Sequence, residues 1–517
     1  MLTTLDIAVV VIYAITLFAL AQWVSREKAG HQKDANDYFL AGNSLPWWAI
    51  GASLIAANIS AEQIIGMSGS GYAIGLAIAS YEWMAAITLI LVGKYLLPVF
   101  LKAKIYTMPQ FLEQRFDSRV RLVMAFFWLG VYVFVNLTSI LWLGALAINT
   151  VTGVSLELGL VFLALFAVGY SLYGGLKAVA FTDIIQVVLL VIGGLLIADI
   201  MLNRVSNGSG AFAGFALLMD QVPEKFDMIL SKDNPHYASL PGLSVLLGGM
   251  WIMNVSYWGF NQYIIQRALA AKSVGEAQKG IAFAAFLKLL MPVIVVLPGI
   301  AMYALDSNLA SPDQAYPQAM TLLPAGIKGL VFAALLAAIV SSLASMTNSI
   351  STIFTMDIFA HFVREGNHTS RVKIGRAVAV AAMVIALLTA KPLLGNFDQA
   401  FQYIQEFTGF FTPGIVAIFM LGIFYSKTTA NGALAAAIGS AVLSLSFKLL
   451  WPELPFIDRV GLVFILCVLL SVAISHLKAD SSTPVQIGEV SFATSAGFNL
   501  ATLLVVIILV AFYTAWW

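Results

Sequence analysis

Charge is scarce in this sequence: Asp, Glu, Lys and Arg make up 10% of its 517 residues, against roughly a quarter in a soluble domain. They nearly cancel, leaving a net charge of +1, so the basic face that a nucleic-acid partner needs is missing. There is one cysteine, Cys467, inside an apolar run. That excludes a disulfide framework and a cysteine-based metal site. The five histidines, His31, His236, His361, His368 and His476, are scattered through connections and segment ends without ligand spacing. No metal-ligand cluster, nucleophile motif or cofactor-binding glycine loop occurs, so the chain does not read as an enzyme.

Apolar surface is what the chain has in excess. Hydrophobic residues make up 60% of the sequence, and the mean hydropathy is +0.91. This is the composition of an integral membrane protein. A spanning helix needs roughly 20 mostly apolar residues. On that template the chain divides into fourteen spans, at 6–24, 46–72, 76–100, 121–149, 155–173, 179–203, 242–262, 281–304, 325–356, 374–394, 399–425, 429–449, 457–476 and 496–516. The first lacks a basic leading region and a clean small-residue cleavage site, so it reads as a retained span rather than a signal peptide. The expected fold is therefore an all-α polytopic membrane protein, one transmembrane domain over 1–517.

Most Lys and Arg fall in alternate connections, among them Arg26, Lys28 and Lys33, then Lys102, Lys104, Arg115, Arg119 and Arg121, then Arg364, Arg371, Lys373 and Arg376. The positive-inside rule then sets both termini outside. The long external connections 204–241 and 305–324 carry Pro, Asp, Asn and Ser and read as partly ordered lids. The second and seventh spans both hold polar residues at mid-depth and lie five spans apart. That spacing predicts two five-helix repeats of opposite topology, 46–203 and 242–425, with 6–24 and 429–516 peripheral.

The central stretch is Ser53–Gly69, where Asn58, Ser60, Glu62 and Gln63 interrupt an apolar run. Polar groups at mid-membrane face protein or a water-filled cavity and mark a functional site. The mixture Ala56-Ala-Asn-Ile-Ser60 suits local unwinding, which would free carbonyl oxygens for a bare cation. Packing between close helices is the alternative use of such residues. Other spans hold awkward polar groups too: Glu82 in Tyr81-Glu-Trp83, Asp183, Asn254 and Tyr257, Lys288, and Gln402 to Glu406. One shared cavity accounts for them together. Amides, one carboxylate, one ammonium and tyrosines suit a neutral ligand rich in hydroxyls, such as a sugar, whose ring face can stack on Tyr257. In the ninth span Ala338, Ser341, Ser342 and Ser345 recur at i, i+3, i+4 and i+7, on one helical face. Two hydroxyls and a carbonyl from here, with carbonyls of the second span, would form an uncharged hard-oxygen cage for a monovalent cation.

The blocks SLIAANISAEQIIGMSGSGY at 53–72, AIASYEWM at 77–84, YGGLKAVAFTDIIQ at 173–186, YWGFNQYIIQR at 257–267, FAALLAAIVSSLASMTNS at 332–349 and AFQYIQEFTG at 400–409, together with DYFLAGNSLP at 37–46, resemble the sodium/solute symporter family, on its sodium–sugar branch. The resemblance covers nearly the whole chain. It implies a sodium-coupled symporter importing a neutral monosaccharide of galactose or glucose type by alternating access, one sodium per sugar, in a bacterial inner membrane. It also implies a sodium site on the carbonyls of Ala56, Ile59 and Ala338 and the hydroxyls of Ser341 and Ser342. Sugar contacts would come from Gln63, Glu82, Asn254, Lys288 and Gln405, and gates from Met67, Tyr81, Tyr257 and Phe401. Asn58 would link ion and sugar, and Asp183 would lie on the ion exit path. No cofactor beyond the co-transported sodium, no nucleic acid and no obligatory protein partner is implied; the partners are sodium, the sugar and the lipid bilayer. Two positions depart from the family pattern, Ala85 and Ser256, where relatives carry a serine and a tyrosine. They leave sugar preference open, with a polyol or acidic sugar as the alternative cargo and an uncoupled sensor or channel as the alternative class. Ala344 stands where two-sodium relatives carry a hydroxyl.

Overall fold

A computed structural model describes residues 2–24, 44–105, 107–171, 176–359, 368–395, 397, 399–477 and 490–517. Residues 37–43 and 173–175 of the family blocks, and the basic positions Arg26, Lys28, Lys33, Arg364 and Lys478, lie outside the described residues. Among the described residues the chain is helical, with a single isolated β-bridge between Leu45 and Ala271.

Each of the fourteen expected spans coincides with helix. Nine helices are long and apolar enough to cross a membrane among the described residues, and two bent pairs add two more spans. Two further apolar helices, Thr4–Leu17 and Leu156–Gly169, are shorter. The seventh span is built from pieces, Gly249–Val255, Ser256–Phe260 and Gln262–Leu269.

The expected unwinding of the second span is present, slightly further along than 56–60. The helix Trp47–Asn58 ends at Ile59, and a new helical run Glu62–Ala73 leaves at 63° to it. The cause is visible in the hydrogen bonds. The Ser60 amide, which in an unbroken helix would reach the Ala56 carbonyl, bonds the Asn58 carbonyl instead at 2.8 Å. The Ser60 hydroxyl then accepts from the Glu62 amide at 3.2 Å and starts the next run. Ser and Asn can offer the backbone such local alternatives to a helical ladder. A second bend, of 46°, separates Ala400–Thr408 from Thr412–Phe424. The sequence reading had that span continuous; Pro413 just past the bend supplies no amide to carry the ladder across it.

Glycine contacts hold the eighth span, Val274–Leu305, against both halves of the broken second span. A Cβ on Gly280 would lie 2.7 Å from the Trp47 carbonyl oxygen, and one on Gly299 would lie 2.1 Å from that of Ser68. Only glycine permits helices this close. Beyond the second span, the Lys225 ammonium folds back on the end of Glu62–Ala73, donating to the carbonyls of Tyr72 at 3.1 Å and Ala73 at 2.6 Å. A cation there matches the negative end of the helix; burial lowers the pKa of this lysine, opposed by neighbouring Glu224. The first span is pinned to the ninth, Ile327–Phe359, by Asp6. Its carboxylate accepts from the amides of Gly326 at 2.7 Å and Gly329 at 2.9 Å.

Candidate functional site

The break in the second span places Asn58 and Gln63 at the wall of one cavity, which Glu82, Asn254, Lys288 and Gln405 also line. Five spans thus deliver their polar groups to one space. Tyr81, Tyr257 and Phe401 line it as well; Met67 is buried and does not. The two departures from the family pattern, Ala85 and Ser256, both belong to this wall.

Lys288 does not snorkel to an interface, being 0% exposed. Its ammonium meets the Glu82 carboxylate at 2.5 Å and also donates to the Asn58 amide oxygen. The Trp258 ring lies 4.8 Å from it, close enough for a cation–π contribution. The Gln63 amide nitrogen donates to the other Glu82 oxygen at 2.5 Å and to Asn58 at 3.3 Å. Asn58 in turn donates to the Tyr257 hydroxyl at 3.1 Å, which shares a 2.5 Å hydrogen bond with Tyr263. The Gln63 amide oxygen and the Tyr81 hydroxyl are buried without a partner. Buried groups left unsatisfied are unfavourable, and here they leave hydrogen-bonding capacity for a ligand. Asn254 is less open, since its amide donates to its own backbone at Met250, 3.2 Å away.

One end of the cavity is capped by Tyr81 and Phe401, edge to face with ring centroids 5.1 Å apart. Trp128, Phe411 and Ile415 line it elsewhere. Residues missed by the sequence reading include Tyr132 and Asn136 in the fourth span; Asn261, among the polar residues of the seventh, lines the cavity as well. Tyr132 donates to Asn261 at 2.5 Å, and that bond sits at the break in the seventh span. Asn136, a polar residue inside the apolar run Val-Phe-Val-Asn-Leu, carried the same intramembrane signal as Asn58 and could have been found by it.

A second group gathers beneath the Trp47–Asn58 half. Ala338, Ser341 and Ser342 lie buried on the ninth span, which packs against that half. Ser341 donates to one Asp183 oxygen at 2.9 Å and Ser53 to the other at 3.2 Å. Arg267 donates to Ser53 at 3.0 Å and stands 3.6 Å from Asp183. The Ser342 hydroxyl has no partner. Ala56 and Ile59 are buried at the end of the broken helix, and the Ala56 carbonyl no longer receives the Ser60 amide. Uncharged oxygens from a helix break and two serines are donors that suit a small hard cation.

A model of the sodium:solute symporter family matches residues 38–439. The sodium/glucose cotransporter of Vibrio parahaemolyticus is 51% identical over 538 aligned residues, covering 100% of this chain and 99% of that protein. Sodium/glucose cotransporter 4 of Mus musculus is 33% identical over 500, covering 89% and 71%. A solved sodium-coupled sialic acid symporter, substrate-bound and outward-open, superposes with a TM-score of 0.79 at 24% identity, over 92% of this chain and 98% of that one; at that identity the likeness speaks for the fold.

Proposed function

The chain belongs to the sodium:solute symporter family, and on that footing we propose that it is a sodium-coupled importer of a neutral monosaccharide of galactose or glucose type. The observation that carries this reading is the shared cavity. Five spans contribute Gln63, Glu82, Asn254, Lys288 and Gln405 to one wall set, a donor–acceptor array suited to sugar hydroxyls. Tyr257 would stack on the ring, with Tyr81, Phe401 and Met67 as the opposite gate.

One sodium would bind the carbonyls of Ala56, Ile59 and Ala338 and the hydroxyls of Ser341 and Ser342. Asn58 belongs to the same helix end as Ala56 and touches Gln63, Lys288 and Tyr257. Ion binding that fixes this helix end would therefore be felt by the sugar contacts. Asp183, hydrogen-bonded to Ser341, would receive the ion on leaving. The repeats are taken as 46–203 and 242–425, with 6–24 and 429–516 outside them, and transport would move one helix bundle against the other. Both termini face outward in this scheme, so the Tyr81–Phe401 gate is external and Tyr257 is the inner gate.

Coupling rests on differential binding of two ligands by two states. One charge moving through about 100 mV contributes about 2.3 kcal/mol. A tenfold sodium gradient adds about 1.4 kcal/mol. A one-to-one stoichiometry then supports accumulation on the order of several hundredfold. The test is labelled galactose uptake into proteoliposomes with and without an inward sodium gradient, competed by glucose, a polyol and an acidic sugar. Uptake indifferent to the gradient overturns the coupling, and stronger competition by the polyol or acid reassigns the cargo.

A further inference from the structure

Glu62 is a feature that sugar recognition does not use. It is 8% exposed, lies in the membrane-embedded run just past the helix break, and lines the same cavity as its neighbour Gln63. One of its oxygens accepts from the Asn136 amide at 3.3 Å; among the described residues it takes part in no ion pair. The other charges around the cavity are already matched. Lys288 is bound to Glu82 at 2.5 Å. On elements packed against the Glu62 run, Asp313 accepts from the Ala400 amide at 2.9 Å, and Glu406 pairs with Lys448 and Arg459. Tyr316 and Tyr403 on those elements, and Tyr132, Tyr257 and Tyr263 around the cavity, add only hydroxyls. The cavity wall thus holds two carboxylates and one ammonium. An isolated carboxylate in a low-dielectric interior is strongly disfavoured unless a positive partner or a proton reaches it. A neutral sugar supplies neither.

We propose that Glu62 holds a monovalent cation, a proton or a second sodium ion, inside the sugar cavity, separate from the sodium held by serine hydroxyls and carbonyls. Asn136 orients the carboxylate, and neighbouring Gln63, whose amide oxygen is buried and unpartnered, is a second oxygen within reach of the same space. The proposal rests on the cavity taking a neutral cargo, but its first readout needs no cargo.

The experiment counts radioactive sodium bound at saturation to the purified full-length protein without sugar, in wild type, Glu62→Gln and Glu62→Asp. It then measures galactose binding at saturating sodium from about pH 5 to 9. Two sodium ions per wild-type chain, falling to one in Glu62→Gln, identify sodium as the occupant. One sodium in both, with a pH step in wild-type galactose binding that Glu62→Gln removes, identifies a proton. One sodium with pH-flat galactose binding in wild type overturns the proposal, whatever the variants do. Failure of galactose to bind while two sodium ions are counted overturns the sugar reading and leaves the cation site standing.

Discussion

Two buried acid–base pairs stand on either side of the broken second span, and they are built differently. Lys288 and Glu82 touch directly at 2.5 Å, and their remaining valences go to Asn58 and Gln63. Arg267 and Asp183 stand 3.6 Å apart, with Ser53 between them and Ser341 on the far oxygen. The first pair lines a cavity, so an entering ligand competes for the same hydrogen bonds. The second is spread through hydroxyls among four spans, so its charge is satisfied without any ligand. In the proposed scheme the direct pair would serve as a recognition surface, and the hydroxyl-bridged pair as a support beside the ion path.

The largest test of this contrast is Lys288→Ala. It strands Glu82 in the interior, and losing one partner of a buried pair costs about 3–5 kcal/mol. Galactose binding is expected to fall more than a hundredfold, and the Lys288→Met/Glu82→Gln double variant should recover stability in thermal melts though not binding. Arg267→Ala should destabilise less, by about 1–3 kcal/mol, because Ser53 and Ser341 still donate to Asp183. An equal fall in melting temperature for the two alanine variants would break the comparison.

Smaller effects separate ion from sugar. Ser342→Ala removes an oxygen from the proposed sodium cage; at about 1.5 kcal/mol or more for a contact with a charge, sodium half-saturation should rise about tenfold. Sugar uptake should return at high sodium. Gln405→Ala should raise the sugar KM by about 2- to 12-fold, matching about 0.5–1.5 kcal/mol for one hydrogen bond, with sodium half-saturation unmoved. A variant that shifts both constants together would merge the two regions into one. The smallest change is Ala85→Ser, which returns a hydroxyl to the cavity wall; it should tighten galactose binding up to severalfold in a titration.

Much of this was legible early because bilayer physics leaves few alternatives. An Asn, Glu or Lys inside an apolar run of twenty residues must meet protein or a cavity, which is how Asn58, Glu82 and Lys288 stood out in sequence. The break near Ile59 was legible for the same reason, since Asn and Ser supply their own local hydrogen bonds. Asn136 carried a comparable signal, weaker because it stood alone in its segment. The bend at Gly409–Phe411 was hidden in a run that satisfies every hydropathy criterion.

By itself, then, the sequence determined that the chain spans a membrane many times, where it bends in the second span, and which side chains need polar company. It did so because an apolar run of fixed length and an intramembrane polar group each have very few stable solutions in lipid. Only the tertiary structure decided who keeps company with whom. Lys288 lies 206 positions from Glu82 and 230 from Asn58, and no local pattern encodes such a pairing. The same holds for Asp183, which the fold gives to Ser341 and Arg267, and for Glu62, which it sets beside Asn136 with no ion pair among the described residues. Charge matching in a low-dielectric interior is a property of the packed helices, set by glycine contacts such as Gly280 on Trp47 and Gly299 on Ser68 that fix how close the spans can come.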